Sequence, residues 1–360
     1  MRIVFSLLFV AGMFICRAQK AENIIVITTD GLRWQEVFSG MDSAIANNKR
    51  FHRGDSSSIY QKYWAASTEE RRKKLMPFLW SVIETNGQLH GNRYYGNYVN
   101  NANPYWFSYP GYSEIMTGFA DTAVNSNDYP PNPHVNVLEF LNQQPKFKGK
   151  VAAFSAWEAF NRILNEGRCG FPVTAAYDQS GGKTPTANQR LINGMLADVY
   201  KPWHEDECLD VFTHYAAMEE LKAKKPKVLY IAYGETDEWA HAGQYNSYLN
   251  AAHQVDQWIK QIWDFVQSDP QYRNKTALFI TTDHGRGDKI KTEWTSHGNS
   301  IQDASEIWFG LMGPGVVSRG EVKSAQQVYQ QQFAQTMAKL VGYTFKAAHP
   351  VAKEIETVIK

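Results

Sequence analysis

The stretch that most constrains this chain is Ala277–His297, ALFITTDHGRGDKIKTEWTSH. Its apolar run, Ala277–Ile280, closes on two threonines and reads as a buried strand. Asp283 and His284 follow at once, glycines flank Arg286, and His297 comes after a short loop. A buried strand that ends in polar groups fits the C-terminal edge of a parallel sheet, where open α/β folds gather their sites. A carboxylate oxygen beside an imidazole nitrogen is also a donor set that suits zinc. The same pair is equally explained if Asp283 caps a turn and His284 is an ordinary loop residue, so the rest of the chain has to decide.

The 360 residues allow one large α/β domain or two small ones. A net charge of +1 leaves no global basic field, which excludes nucleic acid as a bulk electrostatic partner. The first 18 residues read as a secretory signal peptide. Arg2 supplies the positive start, Ile3–Ile15 is an apolar run too short to span a bilayer, and Cys16-Arg17-Ala18 places small residues at a cleavage site before Gln19. Bulky Ile15 disfavours a lipoprotein reading of Cys16. No other stretch is long and apolar enough to span a membrane, so a secreted or periplasmic location is expected. Cleavage leaves Cys169 and Cys208, an even count that in an exported chain predicts one disulfide. Two free buried thiols are the alternative.

Compact β-branched and apolar runs predict strands at Ile24–Thr28, within Leu89–Val99, and at Lys150–Phe154, Lys227–Tyr233, Ala277–Thr281 and Ile307–Met312. Helices are predicted at Thr68–Leu75, from Pro77 (as a kink or a new start) to Gly87, and at Tyr112–Thr117, Asn136–Gln143, Ala187–Trp203, Cys208–Ala223, Ser247–Ser268 and Ala325–Leu340. In Ser247–Ser268 the apolar residues Tyr248, Ala252, Val255, Ile259, Ile262 and Val266 recur at alternating spacings of four and three. Strand and helix alternate throughout, which predicts an α/β fold with a largely parallel central sheet and helices on both faces. No linker or repeat interrupts residues 19–360, which are expected to form one domain with a small lid insertion around 160–215.

Four segments hold polar groups able to serve one site, three of them just after strands. They are Asp30, Ser108, the run from Asp237 to His241, and Asp283-His284 with His297. Parallel strands align their C-terminal ends, so these groups can converge. Asp237 and His241 lie four apart and share a face if the segment is helical. Three carboxylates and three imidazoles are enough for two zinc ions, and a serine among them is a candidate nucleophile, since a bound cation lowers the pKa of a hydroxyl.

These segments resemble the alkaline phosphatase superfamily, specifically its type I phosphodiesterase/nucleotide pyrophosphatase-like branch. The resemblance rests on Thr29-Asp30-Gly31-Leu32-Arg33, on Ser108-Tyr109-Pro110-Gly111-Tyr112-Ser113 running to Thr117-Gly118, on Asp237 through His241, on Asp283-His284-Gly285 and on His297-Gly298, which occur in the family's order. It implies one zinc held by Asp237, His241 and His297, and another held by Asp30, Asp283 and His284 with Ser108 beside it as nucleophile. Manganese remains compatible with the same ligands. It also implies an asparagine contacting a non-bridging oxygen of the substrate. Asn127 matches the family spacing, and Asn125 lies closer to Ser108 than that spacing asks.

Two departures bear on the substrate. Tyr112 stands where formylglycine sulfatases carry an arginine. Ser155-Ala156-Trp157-Glu158-Ala159 stands where some phosphomonoesterases carry a lysine and an arginine, although Arg286 or Lys289 could bring charge from the other side. The expectation is a phosphoric ester hydrolase acting on a small-molecule phosphate ester through a phospho-serine, with diesters favoured. Alternatives on the same site are a phosphomonoesterase and a sulfate or phosphonate ester hydrolase. An alternative of another class is a non-catalytic exported binding protein.

Overall fold

A computed structural model describes residues 20–359. The expected signal peptide, residues 1–18, lies outside the described residues. Among the described residues ten strands follow in chain order: β1 (Asn23–Thr29), β2 (Gly87–His90), β3 (Asn97–Asn100), β4 (Val151–Ser155), β5 (Val173–Ala175), β6 (Val228–Tyr233), β7 (Thr276–Thr282), β8 (Phe309–Met312), β9 (Gly320–Glu321) and β10 (Gln326–Tyr329). Eight of them make one sheet in the order β5-β4-β6-β1-β7-β8-β2-β9, while β10 and β3 form a separate parallel pair. Within the large sheet only β8 is antiparallel to its neighbours, β7 and β2. The fold is therefore the expected α/β arrangement with a mostly parallel sheet.

Why the central strands are continuously apolar is visible in their two faces. Ile25, Ile27, Leu229, Ile231, Leu278 and Ile280 enter one core, and Ile24, Val26, Val228, Tyr230, Ala277 and Phe279 enter the other. Alternate residues of a strand point to opposite faces, so a sheet covered on both sides needs apolar side chains at every position. Helix Tyr245–Ser268 covers the first face, burying Tyr248, Ala252, Val255, Ile259, Ile262 and Val266. Helices Ser108–Thr117 and Phe333–Leu340 cover the second through Ile115, Met116 and Met337. Each valine, isoleucine or methionine among them stabilises the fold by about 1.5–3 kcal/mol on burial.

Of the two readings of Pro77, the new start holds: Thr68–Leu75 ends at Met76, and helical structure resumes from Pro77 to Asn86 with a wide turn at Leu79–Ile83. Other local expectations are corrected. The helix expected over 325–340 begins only at Phe333, because Gln326–Tyr329 is claimed as β10 by pairing with β3. The helix expected over 187–203 ends at Asp198. The disulfide is not formed. Cys169 and Cys208 are both free and buried, and they belong to different apolar clusters. The Cys169 thiol donates to the carbonyl of Phe171 at 3.4 Å, and the Cys208 sulfur lies 3.5 Å from Thr213 Oγ1.

The segment around 160–215 includes edge strand β5, helix Ala187–Asp198 and the loop that precedes helix Asp210–Ala223. Among the described residues no helix is long and apolar enough to cross a membrane.

Candidate metal centre

The register of the three central strands sets up the site. Thr29 pairs with Tyr233 of β6 on one side and with Thr282 of β7 on the other. The chain therefore leaves β6, β1 and β7 level with one another, and Asp237, Asp30 and Asp283 emerge side by side. After β6 the helix Glu235–His241 forms, so Asp237 and His241 share a face, with His241 Nε2 at 2.9 Å from Asp237 Oδ2. His241 Nε2 also lies 3.0 Å from His297 Nε2.

Around His284 a second group closes. Its Nε2 is 3.3 Å from Asp30 Oδ1, 3.4 Å from Asp283 Oδ2 and 3.6 Å from Asp237 Oδ1. Its other nitrogen, Nδ1, is 2.9 Å from the carbonyl oxygen of Gly285, which makes Nδ1 the proton carrier and leaves the Nε2 lone pair facing the carboxylates. The rings of His284 and His297 stack with centroids 4.0 Å apart. Two sets of donor atoms thus gather within 4.8 Å, Asp30-Asp283-His284 and Asp237-His284-His297. Five of the six expected ligands fall in these two sets, with His284 shared by both; His241 is in neither and meets Asp237 and His297 from the more exposed side.

Ser108 is the first residue of helix Ser108–Thr117, and Phe107 before it offers no side-chain cap. Its Oγ lies 3.4 Å from Asp30 Oδ1 and 3.3 Å from His284 Nε2. Asn127 meets the start of this helix: its Oδ1 accepts from Tyr109 N at 3.0 Å. Tyr112, at the position that separates this chain from formylglycine sulfatases, donates its hydroxyl to Asp30 Oδ2 at 3.0 Å.

These residues fit a bound cation. Asp283 Oδ2 and His297 Nδ1 are buried without a hydrogen-bond partner. Burial, and then the neighbouring Asp237, pushes the Asp30 carboxyl well above the usual range; burial and Asp30 do the same to Asp283. Burial and the adjacent His284 hold His297 well below the usual imidazole range, hence neutral and able to ligate. Burial works against ionised Asp237, yet Arg286 and His241 pull it well below the normal value. Crowded carboxylates beside neutral imidazoles are what a divalent cation relieves. Gly31 makes the crowding possible. It has φ +56°, and a Cβ there would come within 2.7 Å of Asp237 Oδ1 and 2.8 Å of Arg286 Nε.

Sequence reasoning placed Arg286 and Lys289 as possible sources of charge for the substrate. Instead the Arg286 guanidinium is buried against Asp237 Oδ1, and exposed Lys289 reaches Gln302 at 3.1 Å. Two residues were missed. Arg162 donates to the carbonyls of Asn127 at 3.1 Å and Tyr129 at 2.7 Å and pairs with Glu158 at 2.8 Å, so it braces the loop that carries Asn127. It lies three residues beyond the Ser155–Ala159 stretch inspected for cations. Glu207, from the expected lid segment, is buried beside Gly234 at the end of β6; no sequence signal marks it.

Known proteins agree with this architecture. The Metalloenzyme superfamily model matches residues 173–340, the part that carries Asp237, His241, Asp283, His284 and His297. No curated protein matches the chain by sequence. Among solved structures, the alkaline phosphatase PafA aligns with a TM-score of 0.61 at 10% identity, covering 96% of this chain and 100% of its own. A putative sulfatase from Bacteroides thetaiotaomicron aligns at 0.63 and 13% identity, covering 94% and 75%. Murine ectonucleotide pyrophosphatase/phosphodiesterase 5 aligns at 0.56 and 12%, covering 94% and 100%. At these identities the likeness is one of fold. The family model thus covers the C-terminal part of the chain, residues 173–340, and the fold as a whole is similar to that of alkaline phosphatase PafA.

Proposed function

We propose that the chain is a metal-dependent phosphoric ester hydrolase that works through a phospho-serine at Ser108, and that its first 18 residues direct its export. The observation that carries this reading is the position of Ser108 Oγ, within 3.4 Å of Asp30 and 3.3 Å of His284, at a helix start. Asp30, Asp283 and His284 would hold one ion, and Asp237, His241 and His297 the other. The mixed oxygen and nitrogen donors suit zinc, and manganese as well. When bound, such ions polarise a phosphoryl oxygen and lower the pKa of a nearby hydroxyl.

The chain's own groups supply the rest. Ser108 Oγ forms the bond to phosphorus as the ester oxygen leaves, and water then cleaves the phospho-serine. Tyr112 holds Asp30 in place. The Asn127 amide nitrogen and the uncapped helix start would offer N–H donors to non-bridging oxygens. The Arg286 and Arg162 guanidiniums are already charge-paired, with Asp237 and Glu158 respectively. A diester, with one negative charge, therefore suits the site better than a monoester.

The test is Ser108→Ala in the metal-loaded protein, assayed on paired aryl phosphate mono- and diesters and an aryl sulfate. Loss of diester hydrolysis by at least about a thousandfold with metal content intact is expected. Unchanged hydrolysis removes the nucleophile, a faster monoester reverses the diester preference, and no turnover of any ester favours a binding protein.

A further inference from the structure

Apart from the metal ligands, a second concave site opens on the chain. Its lining comes from helix Trp34–Ser39 and the loop after it, from the segment Trp64–Arg72, from the turn that follows β2, and from Asp288 and Lys291 in the loop after β7. The cavity has a volume of about 420 Å³, within the range of about 300–1,000 Å³ that ligand sites occupy. None of the candidate metal ligands lines it, and neither does Ser108 or Asn127. Two of its lining residues keep a buried polar atom without a hydrogen-bond partner: Gln35 Oε1, an acceptor, and Arg72 Nε, a donor. Gln35 is 6% exposed. Buried polar atoms left unpaired are costly, so each asks for a partner that the protein itself does not supply.

The charges around the cavity are balanced. Arg71, Arg72 and Lys291 stand against Asp42, Glu69 and Asp288. Arg72 pairs with Glu321 at 3.0 Å, and Lys291 lies 2.8 Å from Asp42 and 2.6 Å from Asp288. Arg71 has no carboxylate partner among the described residues. Its guanidinium instead donates to the carbonyls of Ser39, Ala65 and Ala66 and to Thr68 Oγ1, and stands over the Trp64 ring at 4.9 Å. An ionic ligand would therefore meet groups that are already engaged. Aromatic surface is free by contrast. Tyr94 is 73% exposed and Tyr95 41%, and Trp64 is half-buried. Tyr94 is seated edge-on against Trp34, with ring centroids 5.3 Å apart.

A ligand that suits such a lining is neutral, rich in hydroxyls and apolar on one face. A hydroxyl donates one hydrogen bond and accepts two, so it satisfies an orphan acceptor and an orphan donor alike. Aromatic rings cover C–H surface and leave the hydroxyls at its edge to polar side chains. We propose that this cavity binds a neutral saccharide, at a site separate from the metal centre. Gln35 and Arg72 Nε take its hydroxyls, and Tyr94, Tyr95 and Trp64 cover its C–H faces. Such a site goes beyond ester hydrolysis and is independent of it.

The experiment titrates the protein, prepared without residues 1–18, by calorimetry with maltohexaose, cellohexaose, laminarihexaose and xylohexaose, and with a heparin hexasaccharide as the charged counterpart. At least one neutral probe is expected to bind saturably with a Kd at or below about 1 mM. Tyr94→Ala should weaken that binding by about fivefold or more, and Gln35→Leu by about tenfold, with metal content unchanged. The thermal midpoint of each variant is measured alongside. Tyr94 is exposed, so Tyr94→Ala carries the test even where the buried Gln35→Leu fails to fold. No saturable binding by any neutral probe overturns the site and leaves water as its occupant. Binding by heparin alone, lost as salt rises, overturns it in favour of ionic contact. Neutral binding that either folded variant leaves unchanged overturns it too, because the sugar then sits elsewhere.

Discussion

Arg33 donates to the carbonyl oxygen of Gly287 at 2.7 Å, and so ties the loop after β1 to the loop after β7. The first loop carries Asp30; the second carries Asp283 and His284. The distance between ligands of one candidate ion is thus set by an arginine that touches neither. Arg33 is held in turn by Glu36, which accepts from Nη2 at 2.7 Å and Nε at 2.8 Å, and Glu36 also accepts from the Tyr245 hydroxyl at 2.8 Å. Arg33 and Glu36 are fully buried.

Removing one half of such a pair leaves a charge in the core. Arg33→Ala is expected to destabilise the protein by about 3–5 kcal/mol, whereas Arg33→Met with Glu36→Met together should cost much less. Chemical denaturation of the three proteins checks this. Equal losses in the single and double variants would mean that packing, not charge, is what Arg33 supplies.

Gly31 leads to a second prediction. Alanine at φ +56° costs about 1–2 kcal/mol by itself, and here its Cβ would also press on Asp237 and Arg286. Gly31→Ala should lower the folding midpoint and release metal at a lower chelator concentration than the unaltered protein. A variant that is less stable but binds metal equally tightly would show that the crowding does not reach the ligands.

Much of this was legible in the sequence, for a physical reason. A strand covered on both faces writes its burial into every position, so Ala277–Thr281 and Lys227–Tyr233 announce themselves, and ligands placed directly after such strands inherit their certainty of place. β10 was not legible: in Gln326–Tyr329 only Val328 is buried, and four residues with one apolar anchor carry no period. Glu207 was invisible for another reason. Gly234 meets it only because a loop folds back over the sheet edge, and no spacing encodes that. The cysteines misled because pairing was inferred from export and an even count, neither of which fixes the distance between two residues.

Those cysteines make a third prediction. Burial raises the Cys169 thiol, and it pushes Cys208 up to about 12, so both stay protonated and shielded at neutral pH. In the protein prepared without residues 1–18, a thiol reagent should find almost none in the native state and two per chain in denaturant without reductant. Two reactive thiols appearing only after reduction would restore the disulfide.

The last prediction concerns acid stability. His90 stacks on Phe309 with ring centroids 4.4 Å apart, places Nε2 at 2.9 Å from Gln88 Oε1, and accepts from Gln326 Nε2 at 2.6 Å through Nδ1. That arrangement uses the neutral ring, and burial, helped by Arg319, pushes the folded pKa down to about 3. An unfolded histidine titrates near 6.5. Above that pH both states are neutral and the contribution is fully present. As pH falls from about 6.5 toward 3, only the unfolded chain takes up the proton, so stability is lost at about 1.4 kcal/mol per pH unit. His90→Gln lowers stability at every pH by removing the ring, but it should also make the slope between pH 6 and pH 4 shallower by one proton. Buried His214, with a folded pKa of about 4, remains in both proteins and cancels from the difference. Denaturation midpoints measured at half-unit pH steps give the two slopes, and identical slopes would mean that the His90 ring is protonated in the folded state.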